Sequence, residues 1–284
     1  MSNETEYPQA VDVVGYNYTE NRYVEDHKTY PDRIIYGSET HGSLEAWKAV
    51  RDNEHIFGQF VWTGMDYLGE SGEWPSRGLG TGLLDFAGFP KVQGELFKSF
   101  WSDKPTVYIT QFSPRRRRRN SDGTQMITCF TNAYQARLMA EGKVVGTMQL
   151  RNDSTGIIMW RLPQAYDRLE AEACDKAGNV VARYILERGG EACKLRITDI
   201  TIDPQSEVKQ ILVEAIDARG RLATAARNVV SCSTKGKTLL LGLENADNTD
   251  MSAPKATARK LHNGRLVAYV KGDIADVKFD CEFR

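Results

Sequence analysis

Residues 31–64 read PDRIIYGSETHGSLEAWKAVRDNEHIFGQFVWTG, and their hydrophobic spacing decides the first third of the fold. RIIYGSE is a short apolar run rich in β-branched and aromatic residues, the pattern of a buried strand. SLEAWKAVRDN switches to a helical period, with Ser43 where an N-cap belongs. HIFGQFVWTG returns to a strand. Upstream, VDVVGYNY (11–18) adds another apolar strand and ENRYVEDHKTY (20–30) a short helix-compatible segment. Apolar strands separated by helices predict a parallel sheet, because parallel neighbours need a crossover, and its runs predict cover on both faces.

A Gly-rich loop, GESGEWPSRGLGTGLLDFAGFP (69–90), then precedes the helical run KVQGELFKSFW (91–101). A loop this long in a compact unit is usually functional, and its aromatics favour that reading. After Asp103-Lys104-Pro105 the strands become short and alternating, with turn signals at SDG, EGK, DKAG, DARG, TKGK and HNG. That is β-sandwich patterning. A second seam falls at Arg188-Gly189-Gly190. The expected units are 1–103, 104–188 and 189–284.

The 284 residues carry 41% apolar side chains, a formal charge of -1 and a pI near 6.5, enough to build cores but with no global basic field. Neither nucleic acid nor an anionic membrane surface is favoured as a partner. No apolar run approaches the ~18 residues of a membrane span, and MSNETEYPQA lacks the regions of a secretion signal. The strand-like run at Val11 starts so abruptly that the chain reads as cut from a larger protein. The Arg115–Arg119 run has no interleaved aromatics and reads as a solvated loop. Five cysteines show no CxxC spacing, which argues against zinc and a disulfide framework. Alternation puts Cys129 on the face of Ile127 but excludes Cys174 from the face of Leu169, Ala171 and Ala173, so one points in and the other out.

In parallel α/β sheets the chemistry stands at the C-terminal strand ends. Here those ends offer Tyr16, Asn17 and Tyr18, then Glu39, then Trp62. A carboxylate at such a rim is solvated, paired or catalytic, since burying it alone costs several kcal/mol. Tyr16 or Tyr18 could donate a hydrogen bond to it. Trp62 has a flat apolar face with an N–H at its edge, suited to the C–H face of a pyranose. His41 is a further contact candidate.

Taken in order, VVGYNYTENRY, the 31–64 stretch continued through MDYLGE, and WPSRGLGTGLLDFAGFPK resemble the last three βα units of glycoside hydrolase family 2, the β-galactosidase and β-glucuronidase family. ITCFTNAYQARLMAEGKVVGT and ILVEAIDARGRL with LLLGLENAD resemble its later modules. The resemblance implies a multidomain fold: a partial (β/α)8 TIM barrel followed by two immunoglobulin-like β-sandwiches. It implies Glu39 as catalytic nucleophile and Tyr18, or alternatively Tyr16, as its hydrogen-bond donor with Asn17 beside it. Trp62 becomes the subsite floor, and the loop Asp66 to Phe89 its wall, with Trp74 and Asp85 as contacts.

Retaining hydrolysis also needs a second carboxyl about 5 to 5.5 Å away. In the family it lies in an Asn-Glu pair on the fourth strand, upstream of everything here; Asn53-Glu54 falls on the wrong side, and Glu54, Glu70 and Glu73 are not substitutes. The substrate implied is a terminal β-galactoside or related glycan, and the partners are the missing N-terminal part of the parent enzyme and a homo-oligomeric copy. Some family members use magnesium or sodium, but no cofactor or metal is assigned to this chain. Relatives with this pattern often work in the bacterial periplasm. The rival reading is a non-catalytic carbohydrate-binding or structural β-sandwich assembly, in which Tyr108, Phe112, Tyr134, Trp160, Tyr166 and Tyr269 would be the exposed aromatics.

Overall fold

The computed structural model describes residues 5–111 and 124–283; the Arg115–Arg119 run and Phe112 lie outside the described residues. The chain is mostly β-sheet. Its first region holds β1 (Val13–Asn17), α1 (Tyr23–Thr29), β2 (Ile34–His41), α2 (Leu44–Arg51) and β3 (Ile56–Trp62). The three strands pair parallel in the order β1-β2-β3. Ser43 caps α2, its hydroxyl accepting from the Ala46 N–H at 3.1 Å, which satisfies one of the helix's free amides.

One face of this sheet is covered. Val14, Tyr16, Tyr23, Ile35 and Ile56 bury there against Ala49 and Val50 of α2. The other face is open: Val13 and Ile34 stand exposed, and Phe57 and Phe60 are each 64% exposed. The expectation of cover on both faces is therefore corrected. The runs are apolar throughout, but three strands alone cannot curl back to enclose their second face.

The sheet is followed by a two-residue ladder of β4 (Tyr67–Leu68) and β5 (Gly78–Leu79), then α3 (Val92–Trp101). Trp47 of α2 stacks on Phe100 of α3 with centroids 5.9 Å apart. Asn132 holds the connection that follows α3: its side-chain oxygen accepts from the Thr106 N–H at 2.7 Å and its amide donates to the carbonyls of Ser102 and Lys104.

Beyond α3 every sheet is antiparallel. Strands Val107–Thr110, Gln125–Thr131 and Ile157–Leu162 form one sheet, and Gln135–Ala140, Lys143–Leu150, Arg168–Cys174 and Val180–Glu187 form a second. Both line one core of Ile109, Ile127, Leu138, Trp160 and Leu169, each worth about 1.5–3 kcal/mol of burial. Trp160 fits because position 146 is glycine: a Cβ there would lie 2.7 Å from the indole. The EGK signal is a tight hairpin with Glu141 and Gly142 both at positive φ, the backbone such a turn requires.

Cys174 keeps to the face away from Leu169, Ala171 and Ala173, yet it is not exposed there. It is fully buried, as is Cys129, but it stands apart from the core that holds Leu169, Ala171 and Ala173, and its charged neighbours include Arg137, Glu172 and Arg183. All five cysteines are free.

The last region repeats the plan. Lys194–Asp199, Val208–Ile216, Leu239–Glu244 and Arg265–Lys271 share a sheet, and Val229–Thr234, Ala258–Lys260 and Val277–Cys281 another. Their common core is built on Ile211, Val213, Leu243, Leu266 and Val270. No helix among the described residues is long and apolar enough to cross a membrane.

Candidate active site

Register, more than sequence order, determines what meets at the C-terminal ends of β1–β3. An irregularity between Tyr16 and Asn17 sets Asn17 opposite Glu39, and further shifts along β2 and β3 set His41 opposite Trp62. The Tyr18 N–H donates to the Glu39 carbonyl at 2.9 Å. Tyr18 itself turns at φ 52°, a left-handed conformation uncommon for a tyrosine. That turn lays its ring on His41 with centroids 4.6 Å apart and sets its hydroxyl near enough to the Glu39 carboxylate to be influenced by it. Burial raises the Tyr18 hydroxyl above its ordinary value, and the nearby Glu39 and the charges of Glu20 and Glu70 raise it further. Tyr18 thus stays a proton donor toward Glu39 at neutral pH.

Tyr16 takes no part. It faces the opposite side of β1, is 1% exposed, donates to Asp26 at 2.7 Å and accepts from Arg33 at 2.8 Å. The alternative that used Tyr16 as donor or substrate contact is corrected: its ring shares the helix side with Val14, and only the irregularity after Tyr16 and the positive φ of Tyr18 send the second tyrosine elsewhere.

Trp62 stands at the end of β3, 37% exposed, edge-on to Tyr67 with centroids 5.9 Å apart. The Tyr67 hydroxyl donates to the Glu70 carboxylate at 2.5 Å. The Tyr67 hydroxyl is pushed up to about 12, first by its bond to Glu70. Tyr67 and Glu70 are therefore members of the cluster. The sequence reading named neither as a contact, although the run MDYLGE directly after Trp62 was the available signal.

The remainder of the loop is anchored on the C-terminal region. Arg77 pairs through both guanidinium nitrogens with Glu244, donates to the Asp247 carbonyl at 3.0 Å and lies over the Phe86 ring. Asn248 brackets β5, accepting from the Gly78 N–H and donating to the Gly78 carbonyl, both at 3.0 Å. Asp85 is committed to its own turn, accepting from the Ala87 and Phe89 N–H groups, and faces Arg265 at 4.0 Å. The Trp74 indole is 80% exposed and shares no described contact with the cluster. From Arg77 to Phe89 the loop is a bracket against the C-terminal sheets.

Of the aromatics named for the rival reading, Trp160 is buried, Tyr108, Tyr166 and Tyr269 are partly buried, and Tyr134 is 45% exposed. No group of three or more metal-ligating side chains is present among the described residues.

The chain thus presents an α/β head with a carboxylate and aromatic rings at its strand ends, followed by antiparallel sheets. The family profile described as glycoside hydrolase family 2 C-terminal domain 5 matches residues 198–278. The β-galactosidase BoGH2A of Bacteroides ovatus is 29% identical over 235 residues, covering 81% of this chain and 27% of that protein. A protein named as a putative β-glucuronidase of Formosa agariphila is 26% identical over 240 residues, covering 79% of this chain and 22% of its own. A solved glycosyl hydrolase family 2 member from Bacteroides cellulosilyticus superposes with a TM-score of 0.82 at 25% identity, over 98% of this chain and 41% of that one. The chain is similar to a C-terminal part of glycoside hydrolase family 2 members and spans about a quarter of the length of its curated relatives.

Proposed function

We propose that the chain is the C-terminal portion of a retaining glycosidase acting on terminal β-linked sugars, β-galactosides in the first place, with Glu39 as nucleophile. In this reading β1–β3 are the last three strands of a (β/α)8 barrel, residues 104–188 and 189–284 are immunoglobulin-like sandwiches, and the open face with Phe57 and Phe60 is the barrel interior. The observation that supports it is the grouping of Glu39, Tyr18 and Trp62 at one strand-end rim. The Glu39 carboxylate attacks the anomeric carbon, the C–O bond to the leaving group breaks, and a glycosyl ester forms that water then hydrolyses. Tyr18 donates to Glu39 and fixes its direction. Trp62 carries the C–H face of the sugar, with Asn17 and His41 alongside.

The acid/base carboxyl belongs to an upstream strand, so this chain alone should turn over almost no substrate. The test uses the full-length enzyme and 4-nitrophenyl β-D-galactopyranoside. Glu39→Gln should lower kcat by about 10³-fold or more. Normal turnover by that variant would refute the assignment.

A further inference from the structure

The geometry points to Glu70 as a specificity-determining residue that binds a hydroxyl of a neutral sugar beside Trp62 and disfavours uronides. The inference rests on the reading of Glu39 and Trp62 just given. Three observations carry it.

The first is placement. The Tyr67 ring stands edge-on to the Trp62 indole with centroids 5.9 Å apart, and its hydroxyl donates to Glu70 at 2.5 Å. Glu70 is thereby held near the ring proposed to carry the sugar, while one of its oxygens and the rest of its lone pairs stay open to solvent, since Tyr67 is its one described hydrogen-bond partner. A carboxylate with a free oxygen accepts hydroxyl protons and cannot donate to a carboxylate.

The second is rigidity. Tyr67 lies in β4, paired with Leu79 of β5, and the Gly69 N–H donates to the Arg77 carbonyl at 3.2 Å. Arg77 and Gly78 are in turn fixed by Glu244 and Asn248. Glu70 therefore sits on a clamped hairpin, and a contact made from it loses little conformational entropy.

The third is charge. The Tyr18 hydroxyl responds to Glu39, Glu20 and Glu70, and the Tyr67 hydroxyl to Glu70 and Glu39. No lysine or arginine is paired with Glu39 or Glu70 among the described residues. A C6 carboxylate would enter a rim already carrying like charges, whereas a neutral hexopyranoside offers hydroxyl donors to the same oxygens.

The experiment compares 4-nitrophenyl β-D-galactopyranoside with 4-nitrophenyl β-D-glucuronide in the full-length enzyme. Wild type should prefer the galactoside by about 100-fold or more in kcat/KM. Glu70→Gln should raise KM for the galactoside and narrow that preference about tenfold, since it keeps the shape and removes the charge. Glu70→Asp, which keeps the charge but shortens the reach, should raise KM and leave the preference standing. A wild-type preference for the glucuronide, or a preference unchanged within threefold in Glu70→Gln, overturns the inference. If Glu39→Gln is inactive while Glu70→Gln leaves the preference unchanged, only the role of Glu70 falls. If Glu39→Gln is active, the reading beneath it falls.

Discussion

Replacing Arg77 by Met should loosen the loop that follows Trp62 without disturbing either antiparallel core. The Arg77 side chain is 11% exposed and Glu244 18%, so the pair is largely withdrawn from solvent. Breaking a buried pair commonly costs 3–5 kcal/mol because the abandoned charge stays buried. Here Glu244 keeps the Ala246 N–H at 2.7 Å and Arg259 at 3.6 Å, which offsets part of that cost. Methionine also retains most of the apolar contact over Phe86. The net local cost is therefore about 2–3 kcal/mol.

Native-state amide exchange reads this directly. The Arg77 and Gly78 N–H groups bond to Asn248, and the Gly69 N–H bonds to the Arg77 carbonyl. Opening at these amides should become about 30- to 150-fold faster, the factor that corresponds to 2–3 kcal/mol. Amides of Leu138 and Val213 should not change. Exchange at Arg77, Gly78 and Gly69 within threefold of wild type would refute the clamp.

Two further outcomes are expected. Gly37→Ala should destabilise the first region by about 1–3 kcal/mol, because a Cβ there would lie 2.5 Å from the Thr40 methyl and 2.7 Å from the Tyr23 hydroxyl; denaturant titration followed by Trp fluorescence measures it. Burial pushes the Glu172 carboxyl up, but its bonds to Arg137 and Arg183 outweigh this and hold it below the usual range. A depressed folded pKa makes the stabilisation complete above the unfolded value of about 4.3 and lost as pH falls through the folded one. Glu172→Gln should therefore flatten the acid limb of stability against pH below about 4.3, and an unchanged limb would contradict the pairing.

What the sequence determined by itself was local. Apolar runs, helical spacing and a serine before SLEAW predict β2, α2, β3 and the cap, because strand and helix periods and caps are short-range properties. EGK predicts a hairpin because Gly142 adopts the positive φ that its turn needs. Glu39, Tyr18 and Trp62 were legible as strand-end residues for the same reason, and the family resemblance supplied their order.

Tertiary structure decided the rest. Choosing between Tyr16 and Tyr18 requires the register at Asn17, which a partner strand sets, and the burial of Cys174 beside Glu172 and Arg137 is not announced by its own alternation. The approach of Arg265 to Asp85, 180 positions along the chain, was likewise out of sight in the sequence. Arg77 and Glu244 are 167 positions apart; a pattern read along the chain holds no term for that encounter, since it exists only once the loop and the last sheets have packed together.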